Sequence, residues 1–261
     1  MSSTILLSID GVRPDALTKA NCPNLLNFQA RGASTLTASA VMPSVTLPCH
    51  MSIFHSVPPT RHGVVTNDWM PMARPLPGLI DQAHTHGLRC AAFYSWEPLR
   101  NLSLPGSLAF AYFRDSADID LEADQPVAEA ASHYLNSEAL DFVFVYFGTI
   151  DIAGHKYGWL SEGYLAQLER VDRLFGDFVD ALPPDTTLLV QSDHGGHDRS
   201  HGTDSAEDMT IPWLVAGPGI KAGYEITSDV SLLDTAPTLA RLLSLKSHPD
   251  WEGRCLDEIF L

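Results

Sequence analysis

Short, fully apolar runs alternate along the chain with longer segments in which apolar positions recur every three or four residues. The first pattern predicts buried strands and the second predicts helices that bury one face. The predicted strands are Thr4–Ile9, 33–41, 89–94, 141–147, 186–191 and 212–216. The run 141–147 is the clearest of them, aromatic and β-branched between Asp141 and Gly148. Helices are predicted over 24–31, 47–55, 76–86, 127–136, 161–182 and 232–245. In 161–182 the apolar stripe is Leu165, Leu168, Val171, Phe175, Phe178 and Leu182, and Pro183-Pro184 stops it. Buried strands separated by helices indicate an α/β fold, a three-layer α/β/α sandwich with a mostly parallel central sheet. No repeat or low-complexity linker interrupts the pattern, so 1–261 reads as a single domain.

Sheets of this kind place ligands beyond the carboxyl ends of their strands, and that is where the chemistry-bearing residues fall. Asp10 follows Thr4–Ile9. Asp151 and His155, four apart, follow 141–147. Asp193 and His194 follow 186–191, with His201 shortly after. A lone Asp at a strand end is ordinarily a turn or cap residue, but three carboxylates and three histidines on one edge form a donor set suited to Zn²⁺ or Mn²⁺. Thr46 stands at the mouth of the helix starting near Pro48. A hydroxyl there is a cap. The same place, with backbone N–H groups and a helix dipole, also favours a bound anion and a nucleophile activated by a neighbouring metal.

Composition narrows the picture. Lys plus Arg is 16 against 32 Asp plus Glu, a net charge of −16, with 45% hydrophobic and 18% charged residues. This is the balance of a folded chain. It speaks against a protein of duplex nucleic acid, which must neutralise phosphates with Lys and Arg, and against a basic membrane-surface protein. No run is long enough for membrane insertion. The N-terminal stretch lacks a basic region, and its apolar run is too short for a signal peptide. Cys22, Cys49, Cys90 and Cys255 form no CxxC pair. The expected location is therefore the cytoplasm. Oligomeric state is not readable.

Taken in order, these segments resemble the alkaline phosphatase superfamily, and within it the nucleotide pyrophosphatase/phosphodiesterase (type I phosphodiesterase) family. Leu7-Ser8-Ile9-Asp10-Gly11-Val12-Arg13 is similar to its first metal-binding strand. Thr46-Leu47-Pro48-Cys49-His50 is similar to its nucleophile stretch T-F-P-N-H, and Arg61-His62-Gly63-Val64-Val65-Thr66-Asn67 to H-G-I-x-x-N. Asp151-Ile152-Ala153-Gly154-His155-Lys156-Tyr157-Gly158 and Ser192-Asp193-His194-Gly195-Gly196 match two further motifs, and His201-Gly202 supplies the last histidine.

The resemblance implies two divalent ions, Zn²⁺ with Mn²⁺ as the alternative. Asp151, His155 and His201 would hold one; Asp10, Asp193 and His194, completed by Thr46, would hold the other. It implies attack by Thr46 on phosphorus, a phosphothreonine intermediate, and hydrolysis of a phosphodiester or nucleotide pyrophosphate bond in a small substrate. Asn67 and the N–H groups of residues 46 and 47 would stabilise the phosphoryl oxygens. Asn67, Leu47, Trp69 and Tyr157 are expected to contact substrate. Leu47 replaces the family aromatic that stacks a base, and Cys49 replaces Asn. A phosphonoacetate hydrolase-like or phosphomonoesterase activity, and a non-catalytic binding module, stand as alternatives. A sulfatase is disfavoured because its Cys or Ser nucleophile is missing.

Overall fold

The computed structural model describes residues 3–116 and 119–261. Its elements are β1 (Thr4–Ile9), α1 (Pro14–Lys19), α2 (Pro23–Arg31), β2 (Ala33–Ser39), α3 (Thr46–His55), α4 (Pro59–His62), α5 (Leu79–Thr85), β3 (Cys90–Tyr94) and β4 (Phe110–Phe113). There follow α6 (Asp124–Ser137), β5 (Phe142–Phe147), α7 (Thr149–Tyr157), α8 (Glu162–Asp180), β6 (Thr187–Gln191), α9 (Ala206–Met209), β7 (Thr210–Ala216), β8 (Tyr224–Glu225) and α10 (Thr235–Leu242).

One eight-stranded sheet, ordered β4-β3-β5-β1-β6-β7-β2-β8, runs through the molecule. Its strands are parallel except β7, which is antiparallel to both neighbours β6 and β2. The strands alternate sides with period two. Ile5, Leu7, Val143, Val145, Leu188 and Val190 enter one apolar cluster with Leu25, Val127, Leu168 and Phe175 of the helices α2, α6 and α8. Leu6, Phe144 and Leu189 enter the other, with Ile53, Phe54, Ile80 and Leu239 of α3, α5 and α10. The expected three-layer α/β/α sandwich, alkaline phosphatase-like with a mostly parallel sheet, is the fold observed.

Every predicted strand and helix is present, most with shifted ends. The helix expected over 76–86 begins only at Leu79, after Pro77-Gly78, and the one expected over 232–245 is a 3₁₀ turn, Leu232–Asp234, followed by α10. Six elements were not expected: the helices α1, α4, α7 and α9, and the short edge strands β4 and β8. The α7 sequence, rich in β-branched residues and holding Gly154, has little helical propensity of its own. All four cysteines are free thiols. Among the described residues no helix is long and apolar enough to cross a membrane.

Phe175 is 1% exposed and meets the Phe28 ring edge-on at 5.4 Å between α8 and α2. Phe175→Ala should lower unfolding free energy by about 3–5 kcal/mol, read from urea denaturation; a loss under about 1 kcal/mol would mean that this contact does not order the layer.

Candidate active site

The strand register sets the site. Ile9 of β1 pairs with Phe147 of β5, and Ser8 with Gln191 of β6, so Asp10, Gly148 and Ser192-Asp193 emerge at one height on the carboxyl edge. The Asp10 N–H extends the ladder to the Phe147 carbonyl at 2.9 Å. The chain must then turn at once. Gly11 has φ +74°, and a Cβ there would lie 3.0 Å from the Asp151 Cα, so both conformation and space require glycine. The Trp159 indole and the Tyr164 hydroxyl fix this turn by donating to the Gly11 carbonyl at 2.9 and 2.8 Å. The Tyr146 hydroxyl donates to Asp10 Oδ2.

The three histidines share one arrangement. Each lies with Nδ1 against a backbone carbonyl: His194 against Gly195 at 2.8 Å, His201 against Ser44 at 2.9 Å, and His155 against Arg199 at 2.9 Å. A carbonyl can only accept, so each Nδ1 carries the hydrogen and each Nε2 presents a lone pair. Those Nε2 atoms meet carboxylates. His194 Nε2 lies 3.2 Å from Asp10 Oδ1 and 3.5 Å from Asp193 Oδ2; His155 Nε2 lies 3.4 Å from Asp151 Oδ2, and His201 Nε2 3.7 Å from Asp151 Oδ1. The His194 and His201 rings stack at 3.8 Å.

The donor atoms fall into two groups, each within 4.8 Å: Asp151, His155 and His201, and Asp10, Asp151 and His194. Asp151 is shared, whereas the sequence placed it in one group only. Asp193, assigned to the second group, stands beside that group against His194.

Electrostatics shows that these residues suit divalent ions. Asp10 and Asp193 are both buried. Burial opposes ionisation of Asp10, but His194, His50 and the Tyr146 hydroxyl outweigh it and hold the carboxyl below its usual range. Asp193 is pushed well above its usual range, by burial first and then by the Asp10 and Asp151 charges. Asp10 Oδ1 and Asp193 Oδ2 are buried and accept no hydrogen bond. His201 is driven down to about 4, chiefly by burial and then by His194, which keeps its imidazole neutral and able to donate a lone pair. Buried carboxylate oxygens without donors, beside imidazoles that turn Nδ1 to a backbone carbonyl, are the donor set of a divalent metal centre.

Thr46 opens α3, whose N-terminal N–H groups lack intrahelical partners. Its hydroxyl lies 3.2 Å from His194 Nε2. His50, one turn on, places Nδ1 2.8 Å from the Thr46 carbonyl and Nε2 2.9 Å from the Ser8 hydroxyl, tying the helix start to β1. Burial drives His50 down to about 4, so it is a neutral strut. A cavity of about 320 Å³, at the lower end of small-ligand sites, opens here between Asp10, Thr46, Asn67, Asp151, His155 and His201.

The other expected residues are placed differently. Leu47 is fully buried in the core, so its side chain cannot meet substrate, and its N–H is taken by Asn67 Oδ1 at 3.0 Å. It is therefore not a phosphoryl donor either, which leaves the Asn67 amide NH₂ and the Thr46 N–H. Trp69 lines a separate, mainly apolar cavity with Met72 and Leu104, and Tyr157, half-exposed at the end of α7, packs on Gly163 outside the reaction cavity. His197 pairs with buried Asp208 at 2.7 Å, which also holds Thr203, and braces the loop. Sequence reasoning missed Tyr146, Trp96, Ser116 and Ile152, all of which line the cavity. Only strand register could have flagged Tyr146; Ile152 lies inside the Asp151 to Gly158 motif, Trp96 stands in a stretch only loosely similar to the family's, and nothing in the sequence marks Ser116.

The model of the type I phosphodiesterase / nucleotide pyrophosphatase family matches residues 4–211, which holds every residue of this site. The chain belongs to that family. Type I phosphodiesterases hydrolyse phosphoester bonds. The chain is 26% identical over 220 residues to a bis(5'-adenosyl)-triphosphatase of Xenopus laevis, covering 73% of this chain and 46% of the relative. It spans less than half the length of this and other curated relatives. In fold it is similar to murine ectonucleotide pyrophosphatase/phosphodiesterase 5, solved as an inactive variant in complex with AMP, at TM-score 0.81 and 15% identity over 95% of this chain and 96% of that one. It is also similar to a phosphonate monoester hydrolase of Silicibacter pomeroyi, at TM-score 0.77 and 15% identity over 98% and 76%.

Tyr146→Phe removes the one hydroxyl that donates to Asp10 Oδ2. Zn²⁺ affinity, measured by chelator competition, should fall about 10-fold or more; unchanged affinity would show that this bond does not shape the donor set.

Proposed function

We propose that this type I phosphodiesterase cleaves a phosphodiester bond of a small substrate through a phosphothreonine formed on Thr46, with two divalent ions, Zn²⁺ or else Mn²⁺. The observation that carries this reading is the Thr46 hydroxyl, 3.2 Å from His194 Nε2 and lining the same cavity as Asp10, Asp151, His155 and His201. Asp151, His155 and His201 would hold one ion. Asp10, Asp193 and His194 would hold the other, with Asp151 within reach of both. When bound, the ions supply positive charge for the phosphoryl oxygens and lower the pKa of hydroxyl and water.

This chain's residues do the rest. Thr46 Oγ1 attacks phosphorus in line, and the bond to the leaving oxygen breaks. Water then cleaves the phosphothreonine, releasing a phosphomonoester and restoring the hydroxyl. The Asn67 amide and the Thr46 N–H at the start of α3 donate to the oxygens that gain charge. Trp96 offers the aromatic face that Leu47 cannot. The AMP held by the murine neighbour and the adenosyl substrate of the Xenopus relative support a nucleotide or an ester of similar size. The small cavity and the net negative charge favour a small ester over a duplex. The free thiols fit a reducing compartment, which favours the cytoplasm.

The protein should hydrolyse bis-p-nitrophenyl phosphate or thymidine p-nitrophenyl phosphate with added Zn²⁺ and lose that activity to a chelator. Absence of turnover on both substrates would overturn the diesterase reading, and turnover only of a phosphonate ester would favour the activity of the Silicibacter neighbour. Thr46→Ala should lower kcat by about 10³-fold or more while metal content stays unchanged. Retained turnover would reduce Thr46 to a helix-start residue.

A further inference from the structure

Helix α7 carries Asp151 and His155, yet it has no cap of its own. Its N-cap is Gly148, which has no side chain to accept from the first N–H groups. Glycine is required there by the site itself: a Cβ at residue 148 would lie 2.7 Å from the Tyr146 ring, whose hydroxyl serves Asp10. The missing cap comes from another helix. Asp124, 2% exposed at the start of α6, accepts from the Gly148 N–H at 2.8 Å, from the Thr149 N–H at 3.2 Å, and from the Thr149 hydroxyl. Gln167 of α8 closes the network, donating through Nε2 to Thr149 Oγ1 at 2.8 Å and to the Leu121 carbonyl at 2.9 Å. Neither Asp124 nor Gln167 lines the reaction cavity.

We propose that Asp124 is a positioning residue, acting through Thr149 and Gly148 to set the axial position of α7 and with it the Asp151 carboxylate and the His155 imidazole. The chain of cause runs from Asp10 to Tyr146, from Tyr146 to the glycine it requires at 148, and from that glycine to the carboxylate that caps the helix in its place. A carboxylate suits the task because its charge meets the positive end of the helix and its two oxygens take three donors. Burial pushes the Asp124 carboxyl up to about 7 against those three bonds, so the charged form that caps α7 is fully present only above neutral pH. A neutral amide could keep the bond to Gly148, but its NH₂ would face the Thr149 N–H, donor against donor, and would force the Thr149 hydroxyl to turn from donor to acceptor.

The proposal rests on the reading of Asp151 and His155 as metal ligands, so the test has one readout with metal and one without. In Asp124→Asn, amide hydrogen exchange in chelator should quicken about tenfold across 149–157 and stay unchanged across 46–55. Zn²⁺ affinity of the folded protein, by chelator competition, should fall about tenfold or more. Phe175→Ala is the control for plain loss of stability: it should quicken exchange across 46–55 and 149–157 alike and leave the Zn²⁺ affinity of the folded protein unchanged. If Asp124→Asn fails to fold, Thr149→Val, which keeps the volume and loses the hydroxyl, should show both changes in smaller measure, and Thr149→Ser neither. Normal exchange across α7 in Asp124→Asn, or in Thr149→Val where that is the variant used, overturns the proposal. So does unchanged Zn²⁺ affinity beside faster exchange. If the wild-type protein binds no Zn²⁺, the ligand reading falls, and the exchange measurement alone decides whether Asp124 sets α7.

Discussion

Much of the structure follows from like charges brought together at one sheet edge. Parallel pairing of β1 with β5 and β6 ends three buried strands level, and the next residues include Asp10 and Asp193, with Asp151 one short turn beyond β5. Two ionised carboxylates cannot share a buried position without a compensating cation or proton, and the opposite displacements of Asp10 and Asp193 express that conflict. Around it the chain has few freedoms. Gly11 must be glycine, and the imidazoles must turn Nδ1 outward to carbonyls.

The same pleat that packs the core also builds the site's support. Ser8, Tyr146 and Gln191 occupy paired positions, one residue before the ends of β1 and β5 and at the end of β6. Ser8 and Tyr146 turn to the α3 side, where Ser8 meets His50 and Tyr146 meets Asp10, while the Gln191 oxygen accepts from Thr235 at 2.6 Å. A band of hydrogen-bonded polar groups thus lies between the dry core and the carboxylates. Ser8, Tyr146 and the Gln191 oxygen each find a partner on a different element, which makes the band sensitive to helix position, while the buried Gln191 Nε2 has none among the described residues. Buried polar groups left unpaired there would cost about 1–3 kcal/mol each.

The buried strands were legible because each is a continuous apolar run, and the metal-binding candidates were legible because they follow those runs in a fixed order. Their side-chain contacts were not. Tyr146 reads as one more apolar strand residue until register sets it beside Ser8 and Asp10. Leu47 occupies a motif position whose family residue faces substrate, but motif spacing carries no side-chain direction, and here the second residue of α3 points into the core. Trp69 is two residues from Asn67, yet the two line different cavities. Helix α7 was invisible for a related reason: its propensity is poor, and what holds it is Asp124, twenty-four residues upstream of the Gly148 it serves.

Substrate size can be argued from two independent terms. The chain's −16 charge repels polyanions, but at physiological salt that repulsion is screened beyond about 8 Å. A long nucleic acid could therefore approach the surface despite the charge. The cavity is the stricter term: about 320 Å³ admits one compact ester and little more. Charge slows the approach of a polyanion, and the cavity volume limits what can seat beside Thr46. The surface acidity can then vary with little effect on selectivity, whereas a change at Trp96 or Ile152, which wall the cavity, acts on it directly.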